Sequence, residues 1–363
     1  MPPAVIRWSL LLLAATGAAA QDLPVLRMMN WSTYIDVDEA ADPALPLAER
    51  SPTLRAFCAA QRCRIAYAEF DAEDAIEAQL LHQPGSVDLL CCSTDLQQTL
   101  VSAGLLLPLD RDRTPQAAAI AQRYFDRAPA ELVPYVQPYL AGCTGLLYRK
   151  DLVPSPITSW KQYFHPDPAL GVGVIAFDEI SILWGAAALS AGIEVQRIGE
   201  RELMVQAGRE VASLLRSGRV AAVSADPQRI NAALLAGEAA LSIQWCGDAL
   251  DALAQPGGEQ LVYSIPDEGG EGWVDSWCLM RGTLHLDLAY RFLDYIASPA
   301  VQARLAVELG YECPSDAGRA LIADPAWLAS PLLNPPEAVR ARLLSFPLPH
   351  PDATAIWAKL RDE

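Results

Sequence analysis

Aromatic, hydroxyl and carboxylate side chains recur together at a few places in this chain. The clusters are Asn30-Trp31-Ser32-Thr33-Tyr34, Ser93, Trp245-Cys246-Gly247-Asp248 and Trp273-Val274-Asp275. Aromatic faces attract a cation and cover an apolar stem, and aspartates accept charge-assisted hydrogen bonds from an ammonium group. The combination therefore predicts a binding site for an organic cation.

The clusters follow the ends of predicted strands. Buried strands over 25–30, 87–92 and 239–244 precede Trp31, Ser93 and Trp245. Ligands of open α/β sheets bind outside the carboxyl ends of strands, so these side chains should converge on one crevice. Two other tryptophans, Trp184 and Trp277, are predicted to be core residues.

Strand and helix signals alternate along the chain, which predicts an α/β fold with largely parallel sheets. Ser51-Pro52 supplies a helix cap and a first-turn proline. Small residues over 138–145 interrupt the pattern and indicate a crossing between two lobes. The remaining predicted strands cover 64–70, 171–177 and 271–280, and the predicted helices cover 52–61, 74–82, 93–103, 201–217, 227–236 and 286–296.

The beginning of the chain has the pattern of a cleavable secretory leader. Arg7 precedes an apolar run over 8–15, and Ala18-Ala19-Ala20 offers a signal-peptidase site before Gln21. The run is too short to span a bilayer core of about 30 Å. We therefore expect export and cleavage, with a retained membrane anchor as the alternative.

Composition is that of a globular protein large enough for two domains. The 363 residues are 52% hydrophobic and 20% charged, and the formal net charge is −17. This acidity disfavours nucleic acid and anionic membranes as partners, and it is compatible with a cationic ligand. It also serves the solubility of an exported protein.

The chain carries no recognisable catalytic or metal-binding motif. There is no C-x-x-C, G-x-G-x-x-G, P-loop, G-x-S-x-G or H-E-x-x-H, and the four histidines are scattered. We expect no catalytic residue, metal or cofactor. Of the eight cysteines, Cys58 and Cys63 are close enough for a disulfide to be considered, and most of the others are expected to be small core residues.

Over nearly its whole mature length the chain resembles the periplasmic spermidine/putrescine-binding proteins of ABC transporters. The resemblance is carried by Asn30-Trp31-Ser32-x-Tyr34, by Asp88-Leu89-x-x-x-Ser93, by Gly237-Glu238 with Ile243-x-Trp245-x-Gly247-Asp248, and in the C-terminal third by 292–296, Gly310-Tyr311 and 335–343. In this family the first motif opens the mature protein, the second contains a ligand-contacting serine, and the third is a strand with its binding turn.

The resemblance implies a type II-like periplasmic binding protein with two Rossmann-like α/β lobes joined by a hinge. Its parts would be a signal peptide over 1–20, a first lobe over 21–138 plus 272–316, and a second lobe over 139–271 plus 317–363. The lobes would close on a putrescine- or spermidine-class cation, and the monomeric receptor would deliver it to an ABC permease in the inner membrane.

The same resemblance implies a set of ligand-binding residues, with Asp275 the most important of them. By position they are Trp31, Ser32, Thr33, Tyr34, Ser93, Ser181, Trp245, Asp248, Trp273, Asp275 and Tyr311. The tryptophans and Tyr311 would wall the ligand, Ser32 and Ser93 would give hydrogen bonds, and the two aspartates would hold ammonium groups.

Two positions depart from the family pattern. Thr33 and Ser181 stand where the family usually has acidic residues that bind amines. Carboxylates that are candidates to replace them are Asp95, Asp178, Glu179 and Glu312. A ligand with one cationic end and a neutral or polar far end would also suit these positions.

Two alternative functions use the same scaffold. A periplasmic sensor subunit would pass the ligand state to a membrane signalling protein and would not feed a permease. An exported enzyme on a similar two-lobed scaffold would convert the bound amine.

Overall fold

The computed structural model describes residues 23–362, which form two compact units. The first unit comprises the described residues up to Ala141 together with Val274–Trp327. The second comprises Gly142–Trp273 together with the described residues from Leu328 onward. The predicted leader over 1–20 lies outside the described residues.

The first stretch of the first unit alternates strand and helix. Ser51 accepts a hydrogen bond from the backbone N–H of Leu54, and Pro52 stands in the first helical turn, as predicted. Its strands are β1 (Val25–Trp31), β2 (Arg64–Phe70), β3 (Leu89–Cys92) and the beginning of β4 (Val136–Arg149). Its helices are α1 (Leu47–Arg50), α2 (Pro52–Gln61), α3 (Glu73–His82), α4 (Thr94–Ser102) and α5 (Gln122–Phe125), with 3-10 turns at Arg111–Arg113, Pro115–Ala119 and Val133–Tyr135.

The long stretch of the second unit continues the alternation. Its strands are β5 (Val174–Phe177), β6 (Val220–Ser224), β7 (Leu241–Trp245), β8 (Leu261–Ser264) and the beginning of β9 (Gly270–Leu279). Its helices are α6 (Trp160–Phe164), α7 (Ile180–Ser190), α8 (Arg201–Arg216), α9 (Pro227–Ala236) and α10 (Cys246–Ala254), with 3-10 turns at Val195–Arg197 and Gly258–Gln260.

The chain then returns to the first unit and ends in the second. The returning part holds the rest of β9, followed by α11 (Leu286–Ile296), α12 (Pro299–Leu309), α13 (Asp316–Arg319) and the start of α14 (Pro325–Ala329). The last part holds α15 (Glu337–Arg340), β10 (Leu343–Leu344) and α16 (Asp352–Asp362).

Within each unit the strands form both parallel and antiparallel pairs and alternate with helices, which confirms the predicted α/β class. In the first unit β1 lies between β2 and β3 and is parallel to both, and β9 pairs antiparallel with β3. In the second unit β5 is parallel to both β6 and β7, whereas β4 is antiparallel to β7 and β8. The prediction of largely parallel sheets holds for the β-α repeats, and β4 and β9 add the antiparallel pairs.

Each unit has a hydrophobic core of its own. In the first unit the rings of Phe57, Trp277 and Phe292 pack in T-shaped pairs. In the second, Trp160 and Trp184 are fully buried among the side chains of α6, α7 and α8. Trp184 and Trp277 are thus core residues, as predicted.

The cysteines also lie mainly in these cores. None of the eight forms a disulfide within the described residues, and all except the half-buried Cys58 are buried. Among residues 23–362 no group of three or more histidine, cysteine or acidic residues is arranged to hold a metal ion. In the same range, no helix combines the length and apolarity needed to cross a bilayer.

The predicted interruption at 138–145 is absent from the structure. The small residues over 138–145 do not interrupt the chain, because β4 runs unbroken through them as a 14-residue strand. Glycine serves close packing there: a Cβ atom on Gly145 would lie 2.6 Å from the carbonyl oxygen of Ser264 on the neighbouring strand β8. The chain nevertheless passes from the first unit to the second within these residues, between Ala141 and Gly142.

Candidate functional site

The end of β1 is shaped by the side chain of Asn30. Its Oδ1 accepts a hydrogen bond from the Trp31 backbone N–H at 2.9 Å, and its Nδ2 donates to the Tyr34 carbonyl at 3.0 Å. Between them the chain turns at Thr33, whose φ of 59° lies in the left-handed region. The Asn-Trp-Ser-Thr-Tyr motif is therefore one compact turn at the carboxyl end of a strand.

In this turn, Trp31 and Ser32 lie beside the end of β2. The Trp31 ring lies 4.6 Å from the Phe70 ring, centroid to centroid, and the Ser32 backbone N–H donates to the Phe70 carbonyl at 3.0 Å. Trp31 Nε1 is buried without a hydrogen-bond partner among the described residues. The half-buried indole thus retains an unused donor.

Tyr34 brings two other predicted residues together. Its hydroxyl donates to Asp275 Oδ2 at 2.9 Å, and its ring meets the Tyr311 ring edge-on at 5.0 Å between centroids. Tyr139 supports the arrangement, since its hydroxyl donates to the Tyr34 carbonyl at 2.8 Å. In the first unit, therefore, a carboxylate at the end of the sheet is framed by aromatic rings.

Ser93 is joined to a carboxylate that sequence reasoning missed. Its backbone N–H donates to Glu73 Oε1 at 2.7 Å and its hydroxyl donates to Glu73 Oε2 at 2.6 Å. Cys92 is the antiparallel partner of Ser276, so the next residue, Ser93, comes opposite Asp275. Glu73 follows the end of β2, and the position of an acidic residue just after a strand was the signal available in the sequence.

The two carboxyl groups carry raised pKa values. Burial raises the pKa of Glu73 to about 7, with further increases from the negative charges of Asp275 and Asp95, against the lowering effect of the Ser93 hydrogen bonds. Burial also raises the pKa of Asp275 to about 6, against the Tyr34 hydrogen bond. Among the described residues, no lysine, arginine or histidine forms an ion pair with either group.

The second unit repeats the pattern at the end of β7. Gln244 Oε1 accepts a hydrogen bond from the Trp245 backbone N–H at 3.1 Å, as Asn30 does for Trp31. The Trp245 ring lies 5.1 Å from the Phe177 ring at the end of β5. Asp248 follows in the first turn of α10, where burial and the nearby Asp251 raise its pKa to about 6.

The Trp273 ring packs against Gly142 of the same unit. A Cβ atom on Gly142 would lie 2.3 Å from Trp273 Cζ2 and 2.7 Å from Cys246 Sγ. No side chain larger than hydrogen fits at this position unless the indole moves. Glycine at 142 thus allows the close approach of the Trp273 ring, which is predicted to bind the ligand.

Thr33 and Ser181, the two positions predicted to depart from the family pattern, each contact the carboxylate of another residue. The Thr33 backbone N–H donates to Glu69 Oε1 at 3.1 Å in the first unit. In the second unit Glu179 caps helix α7 and accepts hydrogen bonds from both the backbone N–H and the hydroxyl of Ser181, at 3.1 and 3.0–3.1 Å. A carboxyl group therefore lies at both positions.

Two of the candidate replacements are already neutralised. Asp178 accepts hydrogen bonds from Arg361 at 2.8 Å and from Trp357 Nε1 at 2.7 Å. The buried Glu312 accepts one from the Tyr124 hydroxyl and forms an ion pair with Arg127. Asp178 and Glu312 are thus structural residues.

Comparison with known proteins identifies the family of this chain. Residues 56–335 match the family model described as bacterial extracellular solute-binding protein. The putrescine-binding periplasmic protein PotF of Escherichia coli is 24% identical over 371 residues, covering 97% of this chain and 95% of the relative. The putrescine/agmatine-binding protein of Pseudomonas aeruginosa is 26% identical over 338 residues, covering 86% of each chain.

The fold is also that of a solved relative. The spermidine/putrescine ABC transporter substrate-binding protein PotD of Streptococcus pneumoniae superposes with a TM-score of 0.77 at 18% identity, covering 93% of this chain and 99% of that one. The family match extends over more than half of the chain. The chain therefore belongs to the bacterial extracellular solute-binding protein family.

Proposed function

We propose that this protein is a periplasmic receptor for a polyamine-like cation of the putrescine or spermidine class, which it delivers to an ABC permease. The observation that carries the proposal is a set of partly buried carboxyl groups without a cationic partner among the described residues. Asp275 in the first unit and Asp248 in the second both have raised pKa values, and tryptophan or tyrosine rings lie next to each in sequence or in space.

Such groups are costly in a folded protein unless a cation compensates them. A carboxylate removed from water without a partner destabilises the folded state, which is why its pKa rises. An ammonium ligand would supply the missing charge, and the aromatic rings would cover its methylene stem. The relatives named for putrescine and spermidine support this choice.

The proposed ligand set is the one expected from the sequence. In the first unit it consists of Trp31, Ser32, Thr33, Tyr34, Ser93, Asp275 and Tyr311, and in the second of Ser181, Trp245, Asp248 and Trp273. Carboxylates beside Thr33 and Ser181 support a ligand with more than one cationic group. The proposed function includes no chemical step, so the bound amine should be recovered unchanged.

The proposal is tested by isothermal titration of the mature protein, refolded after removal of co-purified ligand. The panel is putrescine, cadaverine, spermidine, spermine and agmatine at low salt, with butylamine as a monocation. We expect at least one diamine or polyamine to bind with a Kd near micromolar, which is about −8 kcal/mol. Heats indistinguishable from dilution for the whole panel would refute the proposal.

A substitution at Gly142 should weaken this binding through Trp273. In Gly142→Ala the added methyl group displaces the indole, and overpacking of this kind costs about 1–3 kcal/mol. We expect about tenfold weaker amine binding and a shifted tryptophan emission spectrum. Gly171→Ala in the same unit is the control, because nothing lies within 4 Å of the added atom. Equal amine affinities of the two variants would mean that Trp273 is not part of the binding site.

A further inference from the structure

Glu73 stands out among the acidic residues of the first unit because of how it is held. Both of its carboxylate oxygens accept hydrogen bonds from one residue, Ser93, at 2.7 and 2.6 Å. The side chain therefore cannot turn away into solvent without leaving two donors unsatisfied. Each oxygen still has a lone pair available, because a carboxylate offers about four acceptor positions.

The sheet brings Ser93, which holds this carboxylate, close to Asp275. Ser93 follows β3, and the antiparallel register with β9 puts it opposite Asp275. Directly opposed residues of such a pair have Cβ atoms about 5 Å apart. The electrostatic influence of Asp275 on Glu73, and of both on Cys91, is consistent with this closeness.

Two neighbouring carboxylates repel each other, and a fold keeps them together only if something offsets the repulsion. The described residues offer hydroxyl and backbone N–H donors to them, and these are Tyr34 for Asp275 and Ser93 for Glu73. Neither group forms an ion pair with an arginine, lysine or histidine of the described chain. Aromatic rings of Tyr34 and Tyr311 stand at the same place.

We propose that Glu73, held by Ser93, is a specificity-determining residue that binds the same ligand ammonium group as Asp275. This assignment rests on the proposed function and deepens it. It gives Ser93 a positioning role, since the serine hydroxyl already donates to Glu73. It also gives the first unit two carboxylates for one primary ammonium group, whose three donors can serve both of them and one further acceptor.

The experiment compares Glu73→Gln with Glu77→Gln, which removes the same charge one turn further along α3. Amine binding is titrated at pH 7 in phosphate and in Tris, whose different ionisation enthalpies reveal protons released on binding. For Glu73→Gln we expect about tenfold weaker binding of the best amine. Its proton release should fall by about half a proton per site, because a group that titrates near this pH has been removed.

The outcomes separate this inference from the proposed function. Binding of amines by the wild-type protein together with unchanged affinity and proton release in Glu73→Gln overturns the role of Glu73 alone. Absence of amine binding by the wild-type protein overturns both. Thermal unfolding of the ligand-free variants shows whether they are folded, and Ser93→Ala, which keeps Glu73 but removes one of its donors, should show a smaller loss of affinity than Glu73→Gln.

Discussion

Asp275→Asn should weaken amine binding by at least about 100-fold. The substitution keeps the shape of the side chain and an oxygen that can accept the Tyr34 hydroxyl, so only the charge is lost. An ammonium group removed from water then meets a neutral amide where it had met a carboxylate, and truncating one partner of a buried charge pair costs about 2–5 kcal/mol. Isothermal titration with the best amine of the panel measures the effect.

The control for this variant is Asp287→Asn, also in the first unit. Asp287 is exposed and pairs with Arg113 at the surface, so its substitution makes the same change in net charge away from the proposed site. We expect its affinity to match the wild type within about twofold. If Asp275→Asn also bound with wild-type affinity, the first unit would hold its ligand through other groups and the site assignment would be wrong.

Amine binding should also weaken strongly as the pH falls from 8 to 5. Binding a cation favours the ionised carboxylates, whereas the ligand-free protein holds protons on Glu73 with a pKa of about 7 and on Asp275 and Asp248 with pKa values of about 6. Primary alkylamines titrate near 10 and stay charged across this range. Protonation of the protein therefore competes with the ligand, and Glu73 alone accounts for a loss of about tenfold at pH 5, as in Glu73→Gln, to which Asp275 and Asp248 add their own losses.

Other titratable groups near these carboxyl groups do not reverse the expected weakening of amine binding at low pH. Glu73 faces Asp275 on β9 and Asp95 on α4, both acidic, and Asp275 faces the Tyr34 hydroxyl and the Cys91 thiol, whose pKa values are raised well above this range. Titrations at pH 5, 6, 7 and 8 in buffers of equal ionic strength would measure the profile. A constant Kd across them would mean that the ligand does not contact these carboxyl groups.

Stability of the ligand-free protein should change in the opposite direction to binding. These carboxyl groups have folded-state pKa values above their ordinary ones, so the native state holds more protons than the unfolded state between about pH 4 and 7. Their contribution to the free energy of unfolding is thus largest in acid and is lost as the pH rises through the folded-state values. The bound cation restores it at neutral pH.

Much of the fold could be predicted because local signals agreed with the tertiary structure. The cap Ser51, the first-turn Pro52 and the alternating residues of 64–70 define α2 and β2 at the predicted bounds. Helix α7 carried no such signal, because ten of its eleven residues are buried and no polar face marks the helical period. Strand β4 was not recognised for a related reason, since its glycines and small residues are required for close packing contacts and are not typical of a strand.

The candidate site was only partly predictable for the same physical reason. Trp245 and Asp248 lie at a strand end in the sequence and could be found from that position. Asp275 lies inside β9 and was indicated by the Trp273-Val274-Asp275 cluster and by the family resemblance. Glu73 could not be assigned a role, since its importance depends on Ser93 and on the register between β3 and β9. The carboxylate at Thr33 likewise comes from Glu69, which only the three-dimensional arrangement brings to it, whereas Glu179 beside Ser181 was already a candidate from the sequence.

The pairing of β3 with β9 also affects the order in which the protein can fold. During synthesis from the N-terminus, β1, β2 and β3 are made first. The strand β9, which pairs with β3, is complete only after the whole stretch Gly142–Trp273 has been made. Until then β3 has an open edge and Asp275 is absent. The first unit of a nascent chain of this topology therefore stays incompletely folded until late in synthesis, and its proposed binding site is among the last parts to form.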